Sequence, residues 1–250
     1  MRRCIIPTMR TVFFSIWVLV LLVLSEPLRM NAQQPGTGKS ARESEQAVPK
    51  IRFDSGNSAL KIPLDIDNGI IRMQVRVNNS KPLKFIFDTG ASFSAISSPR
   101  AAELGLKTKG QAHVTATGGT LQGSFTEGVS LSVQGAEVSN QLIASFPFNT
   151  PPGFEFDGII GWEFISQFVV EIDYENKIMN LYNPQTYIYS GKGEVIPLLL
   201  AAGRTPLVST KIILEGRAPV EARLEVDTDF RRILKVQARA RRMMDLSEAR

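Results

Sequence analysis

The chain has a single cysteine, Cys4, and a single histidine, His113. One thiol excludes an intrachain disulfide and a cysteine metal site. One imidazole argues against a histidine metal centre and against Ser-His-Asp chemistry, so His113 is read as an ordinary strand or turn residue. There is no low-complexity run, and no apolar stretch reaches the roughly 20 residues of a membrane-spanning helix. An excess of one charge is also missing from the body of the chain, despite a net charge of +5. The last twenty residues hold seven basic and two acidic side chains, which leaves 22 of each sign before them. That balance gives no reason to expect a nucleic-acid partner. What remains, at 250 residues and 43% hydrophobic, is enough to bury a real core.

Arg2, Arg3 and Arg10 precede the thirteen-residue apolar run Val12 to Leu24, and a polar, proline-containing stretch follows from Ser25. This is the layout of a secretory signal peptide over residues 1–32, with cleavage after Ala32. Export to the periplasm or the extracellular space is the corresponding expectation. An uncleaved segment would instead anchor the chain in the membrane, and Met30 is a poor small-residue partner for the cleavage site. Cys4 lies before the apolar run, whereas a lipoprotein cysteine would follow it. Residues 33–50 (QQPGTGKSARESEQAVPK) have no hydrophobic period and read as a polar linker.

From residue 51 the chain reads as short strands separated by turn signals. Ile70 to Val77 alternates, Asn78-Asn79-Ser80 turns, and Leu83 to Phe87 is the next strand. Pro99 to Leu106 is a short helix closing on a glycine. Val114 to Phe125 suggests a hairpin around Gly118 and Gly119, and Ser130 to Val138 another around Gly135. Phe168 to Tyr174 and Lys177 to Tyr182 pair across Glu175-Asn176. The expected class is mostly β. A weak repeat overlies this pattern: Ile62-Pro63-Leu64, a strand, a turn with Pro82 and LKFIFDTG are echoed by Ile196-Pro197-Leu198, a strand, a turn with Pro219 and ARLEVDTD. The two Asp-Thr pairs are 139 residues apart. A duplicated lobe accounts for the order of these markers.

Phe85-Ile86-Phe87-Asp88-Thr89-Gly90-Ala91-Ser92 is a hydrophobic strand that runs into an acid, a hydroxyl and a glycine. A strand followed by a plain turn would read the same way. The second motif, Phe156-Asp157-Gly158-Ile159-Ile160-Gly161-Trp162-Glu163-Phe164-Ile165, carries the reading further. Together the two resemble the retropepsin-like and pepsin-like aspartic protease superfamily, over about Phe53 to Asn183. The resemblance implies a closed-barrel aspartic protease lobe at residues 51–190 that needs no cofactor or metal and takes a peptide or protein as substrate. It implies Asp88 and Asp227 as a catalytic pair sharing one proton. Thr89 would bond across to the partner loop, Gly90 would supply the freedom of the turn, and Ser92 would hydrogen-bond the acid. Ile159, Ile160 and Gly161 would form the supporting strand, with glycine where two backbones approach closely. Gly118 and Gly119 would mark a flap. No phosphate loop or carboxylate metal cluster accompanies Asp-Thr-Gly, which argues against a phosphotransferase.

The second half departs from the pattern. Asp229 replaces the expected glycine after Asp227-Thr228, where it would obstruct the backbone and add a third negative charge. Twenty-three residues follow Asp227, basic and helix-prone, with no second hydrophobic-hydrophobic-glycine strand. Residues 191–250 therefore read as the start of an incomplete second lobe with a basic tail. A tail that binds anionic lipid or a partner is the competing view. Two further alternatives stand beside the two-lobed endopeptidase: a retroviral-like homodimer using Asp88 from each chain, and an inactive or merely peptide-binding remnant.

Overall fold

The computed structural model describes residues 3–6, 48–116, 119–148, 153–201 and 204–229. The chain divides into a short unit, Met9–Ala47, outside the described residues, and a larger one formed by Met1–Thr8 and Val48–Arg250. Most of the expected signal peptide and linker falls outside the description. Two parts of it are described: β1 (Arg3–Ile6), which pairs antiparallel with a later strand, β12 (Val169–Asp173), and residues 48–50 at the end of the linker.

Alternating apolar residues build the larger unit. β5 (Ile70–Val77) and β6 (Leu83–Phe87) take the bounds expected of them and pair with Arg72 opposite Ile86. Ile71, Met73, Val75, Phe85 and Phe87 point into the core and are all but fully buried. Burying each of these side chains contributes roughly 1.5–3 kcal/mol. Asn78, at φ 53°, turns the chain between the two strands, and the Ser80 hydroxyl accepts the Val77 amide at 3.0 Å.

Around this hairpin the sheet closes on itself. β6 pairs with β11 (Gly158–Ile160), β11 with β7 (Ala95–Ser97), β7 with β10 (Ala136–Phe146), β10 with β9 (Gly119–Val133), and β9 returns to β5. This ring of hydrogen-bonded strands is mostly β, as expected. β2 (Lys50–Phe53), β4 (Asp65–Asp67) and β8 (Lys109–Ala116) attach to β10, β5 and β9 respectively. Two short helices, α1 (Ser98–Glu103) and α2 (Trp162–Ile165), complete the lobe, with Pro99 opening α1 and Gly105 at φ +63° just beyond it. β3 (Ser58–Pro63), β13 (Ile178–Tyr182), β12 and β1 form a separate four-stranded sheet.

Both hairpins expected between Val114 and Val138 form, β8 with β9 and β9 with β10 across Gly135, and the fifteen-residue β9 serves both. Gly128 at φ +69° and the register shifts against β10 let one strand bend past Glu127-Gly128 without ending.

The second half forms β14 (Leu199–Ala201), β15 (Thr205–Ile212) and β16 (Val220–Glu225), an antiparallel meander. Its order repeats that of β4, β5 and β6; the first meander ends one residue before Asp88 and the second two residues before Asp227. In the first, β6 is flanked by β5 and β11. Among the described residues, β16 is flanked by β15 alone. No described helix is long and apolar enough to cross a membrane.

Candidate active site

The chain leaves β6 at Phe87 and turns at Asp88. The Asp88 amide donates to the Ile160 carbonyl at 3.0 Å, so β11 carries the turn from one side. The Asp88 carboxylate then folds back on the loop it begins: Oδ1 accepts the Gly90 amide at 2.8 Å and the Ala91 amide at 3.1 Å. The Ala91 carbonyl in turn accepts the Trp162 amide at 2.9 Å, which ties the loop to the start of α2. Gly161 is enforced sterically, because a Cβ there would lie 2.4 Å from the Phe93 carbonyl oxygen. Ile159, Ile160 and Gly161 thus stand where the sequence put them, beneath the loop.

The second Asp-Thr turn meets the first almost symmetrically. Thr89 Oγ1 donates to the Val226 carbonyl at 2.5 Å, and Thr228 Oγ1 donates to the Phe87 carbonyl at 2.7 Å. Each hydroxyl also accepts the other threonine's amide, both at 3.1 Å. Each threonine therefore holds the residue just before the opposite aspartate. With Thr89 fully buried, this reciprocal lock satisfies groups that would otherwise be stranded away from water. Within the second turn the Asp229 amide donates to Asp227 Oδ1 at 2.9 Å, matching the Gly90 to Asp88 bond.

Three sequence expectations need correction. Gly90 does not have a positive φ; a Cβ there would lie 3.1 Å from Asp227 Cγ and 3.1 Å from Glu225 Oε1, side-chain atoms that would have to give by a few tenths of an ångström. Asp229 likewise has no positive φ, so its backbone is not obstructed and its effect is electrostatic. Ser92 does not hydrogen-bond Asp88; among the described residues that carboxylate is bonded by Gly90 and Ala91. Of the expected flap, Gly119 opens β9 opposite Ala116, while Gly118 lies outside the described residues.

Burial drives the Asp88 carboxyl up to about 7, with the charges of Asp229 and then Asp227 adding to the rise and the two loop amides opposing it. An acid in this state is protonated at acidic pH and can donate a hydrogen bond there. Among the described residues no cluster of His, Cys, Asp or Glu is arranged to hold a metal ion.

Sequence reasoning missed two supports. The fully buried Ser94 accepts the Gly161 amide through its hydroxyl at 3.1 Å, and its carbonyl accepts the Ala144 amide at 3.0 Å. Asp157 joins β6, β7 and α1: it accepts the Lys84 amide at 2.8 Å and Arg100 Nε at 2.9 Å, while its carbonyl accepts the Ser97 amide at 2.7 Å. Its place just before Gly158-Ile159-Ile160-Gly161 was the available signal.

Two Asp-Thr turns lie locked face to face, with a raised carboxyl beside a second acid, an arrangement in which two carboxyls can share one proton. Residues 73–164 match the family model described as aspartyl protease. Solved structures similar to this chain include two proteases. A retropepsin-like aspartic protease from Rickettsia conorii shares 17% identity over 54% of this chain and 93% of its own, with a TM-score of 0.36. The EIAV protease in complex with an inhibitor shares 18% identity over 38% of this chain and 83% of its own, with a TM-score of 0.30. No curated protein matches the chain.

Proposed function

We propose that this chain is an aspartic endopeptidase whose two acids, Asp88 and Asp227, come from one polypeptide. The observation that carries the reading is the reciprocal Thr89–Thr228 lock, which brings Asp227 against Gly90. A water held between the two acids loses a proton to Asp227 as its oxygen attacks the peptide carbonyl carbon. Asp88, protonated below about pH 7, gives its proton to the carbonyl oxygen. Collapse of the tetrahedral diol breaks the C–N bond: the departing nitrogen takes the proton held by Asp227, one hydroxyl returns its proton to Asp88 as the carbonyl re-forms, and the starting pair is restored. No covalent intermediate forms.

The test is hydrolysis of a mixed peptide library from about pH 3 to about pH 8. Activity should be highest on the acid side, fall as Asp88 ionises, and vanish in Asp88→Asn without loss of fold. Cleavage by Asp88→Asn within a few-fold of the parent would remove this residue from the mechanism. The basic-then-apolar N-terminus supports a further part of the proposal, export with removal of residues 1–32. The domain reading, a lobe at 51–190 and the start of a second at 191–250, is supported by the repeated meander that ends in each Asp-Thr turn.

A further inference from the structure

The turn between β14 and β15 places Arg204 at the boundary of the two meanders. Its amide closes the hairpin on the Ala201 carbonyl at 2.9 Å, but its side chain leaves the second sheet. Nη1 donates to the Ser92 carbonyl at 3.3 Å and pairs with Glu163 Oε1. Ser92 ends the loop whose amides hold the Asp88 carboxylate. Glu163 lies in α2, one residue beyond the Trp162 amide that binds the same loop at Ala91. One guanidinium therefore spans both ends of the support under Asp88, and none of its hydrogen bonds goes to either acid.

Both contacts come from Nη1, whose two N–H groups can serve a carbonyl and a carboxylate together. The corresponding turn of the first meander, Asp67-Asn68-Gly69-Ile70, has no comparable basic side chain, so the clasp runs one way only.

We propose that Arg204 is a positioning residue that holds the Asp88 loop and α2 in register from the second half of the chain. Its consequence for hydrolysis rests on the reading of Asp88 as a catalytic acid; the clasp itself does not. Ser92 enters the site through its backbone carbonyl, as the point where this hold is applied. Both charged partners are partly exposed, at 48% for Arg204 and 27% for Glu163, so the effect is moderate and local.

Hydrogen exchange of the full chain tests the proposal without needing turnover. In Arg204→Ala, amides of residues 89–92 and 162–165 should exchange about threefold to tenfold faster, while the β12–β13 hairpin is unchanged. Arg204→Lys should recover part of the protection, and Glu163→Gln should lose less because the Ser92 contact remains. In peptide hydrolysis, kcat should fall by a similar factor with KM unchanged. Unchanged exchange in the loop would overturn the proposal. So would an equal rise across the β12–β13 hairpin, which would make Arg204 a general stabiliser, and so would a rise in KM alone, which would make it a substrate contact. Absent peptidase activity in the parent counts against the proposed function, and the exchange measurement then still decides for or against the clasp.

Discussion

Asp88 couples the chemistry of the site to the stability of the chain. Its carboxyl titrates at about 7 when folded and near the ordinary carboxylate value of ~4 when unfolded. Between those values the folded chain binds more protons than the unfolded one. The stability contributed by protonated Asp88 is therefore complete below about pH 4 and is lost as pH rises through about 7. Thermal unfolding should show a lower Tm at about pH 8 than at about pH 5 in the parent, with a smaller drop in Asp88→Asn, whose amide cannot ionise. Equal pH dependence in both would contradict the raised carboxyl. Asp229 is the larger of the two charges acting on Asp88, and its backbone needs no glycine. Asp229→Gly should therefore keep the fold and move the basic limb of the pH–rate profile down, by up to about one unit. An unmoved limb would separate Asp229 from the titration.

At the scale of elements, the two Asp-Thr turns form one unit although 139 residues separate their threonines. Removing the Thr89 hydroxyl leaves the Val226 carbonyl and the Thr228 amide without this partner in a partly buried place. Thr89→Ala should cost about 2 kcal/mol or more in denaturant unfolding, and a cycle with Thr228→Ala should show coupling of about 1 kcal/mol. Additive effects would mean that the lock is not a unit. Such elements also show what the sequence made legible. β5, β6 and the β12–β13 hairpin were readable because their alternation and turn residues act locally. The Asp-Thr-Gly strand and the Gly158–Gly161 support were readable because each is a short contiguous motif. The continuous course of β9 was not, since Gly128 looks like a turn until a neighbouring strand absorbs the bulge. Ser94 and Arg204 were hidden for another reason: their partners lie 67 and 112 residues away, and a lone serine or arginine carries no period. The closeness of Gly90 to Asp227 was not readable, because the two lie on different turns.

For the whole molecule, the account turns on where the second acid comes from. Val226 and Thr228 of the same chain are bonded to Thr89. If export follows from the N-terminal layout, the mature protein begins near Gln33 and lies outside the cytoplasm, and N-terminal sequencing of the exported product checks this. A product beginning at Met1 would contradict cleavage. The origin of the second acid is tested most directly by peptide-library hydrolysis at acidic pH with the parent and Asp227→Ala, each over a range of protein concentrations. The account predicts parent activity that is linear in concentration and lost in Asp227→Ala. Activity that rises with the square of concentration and survives Asp227→Ala would contradict it, and would place a second copy's Asp88 in the site.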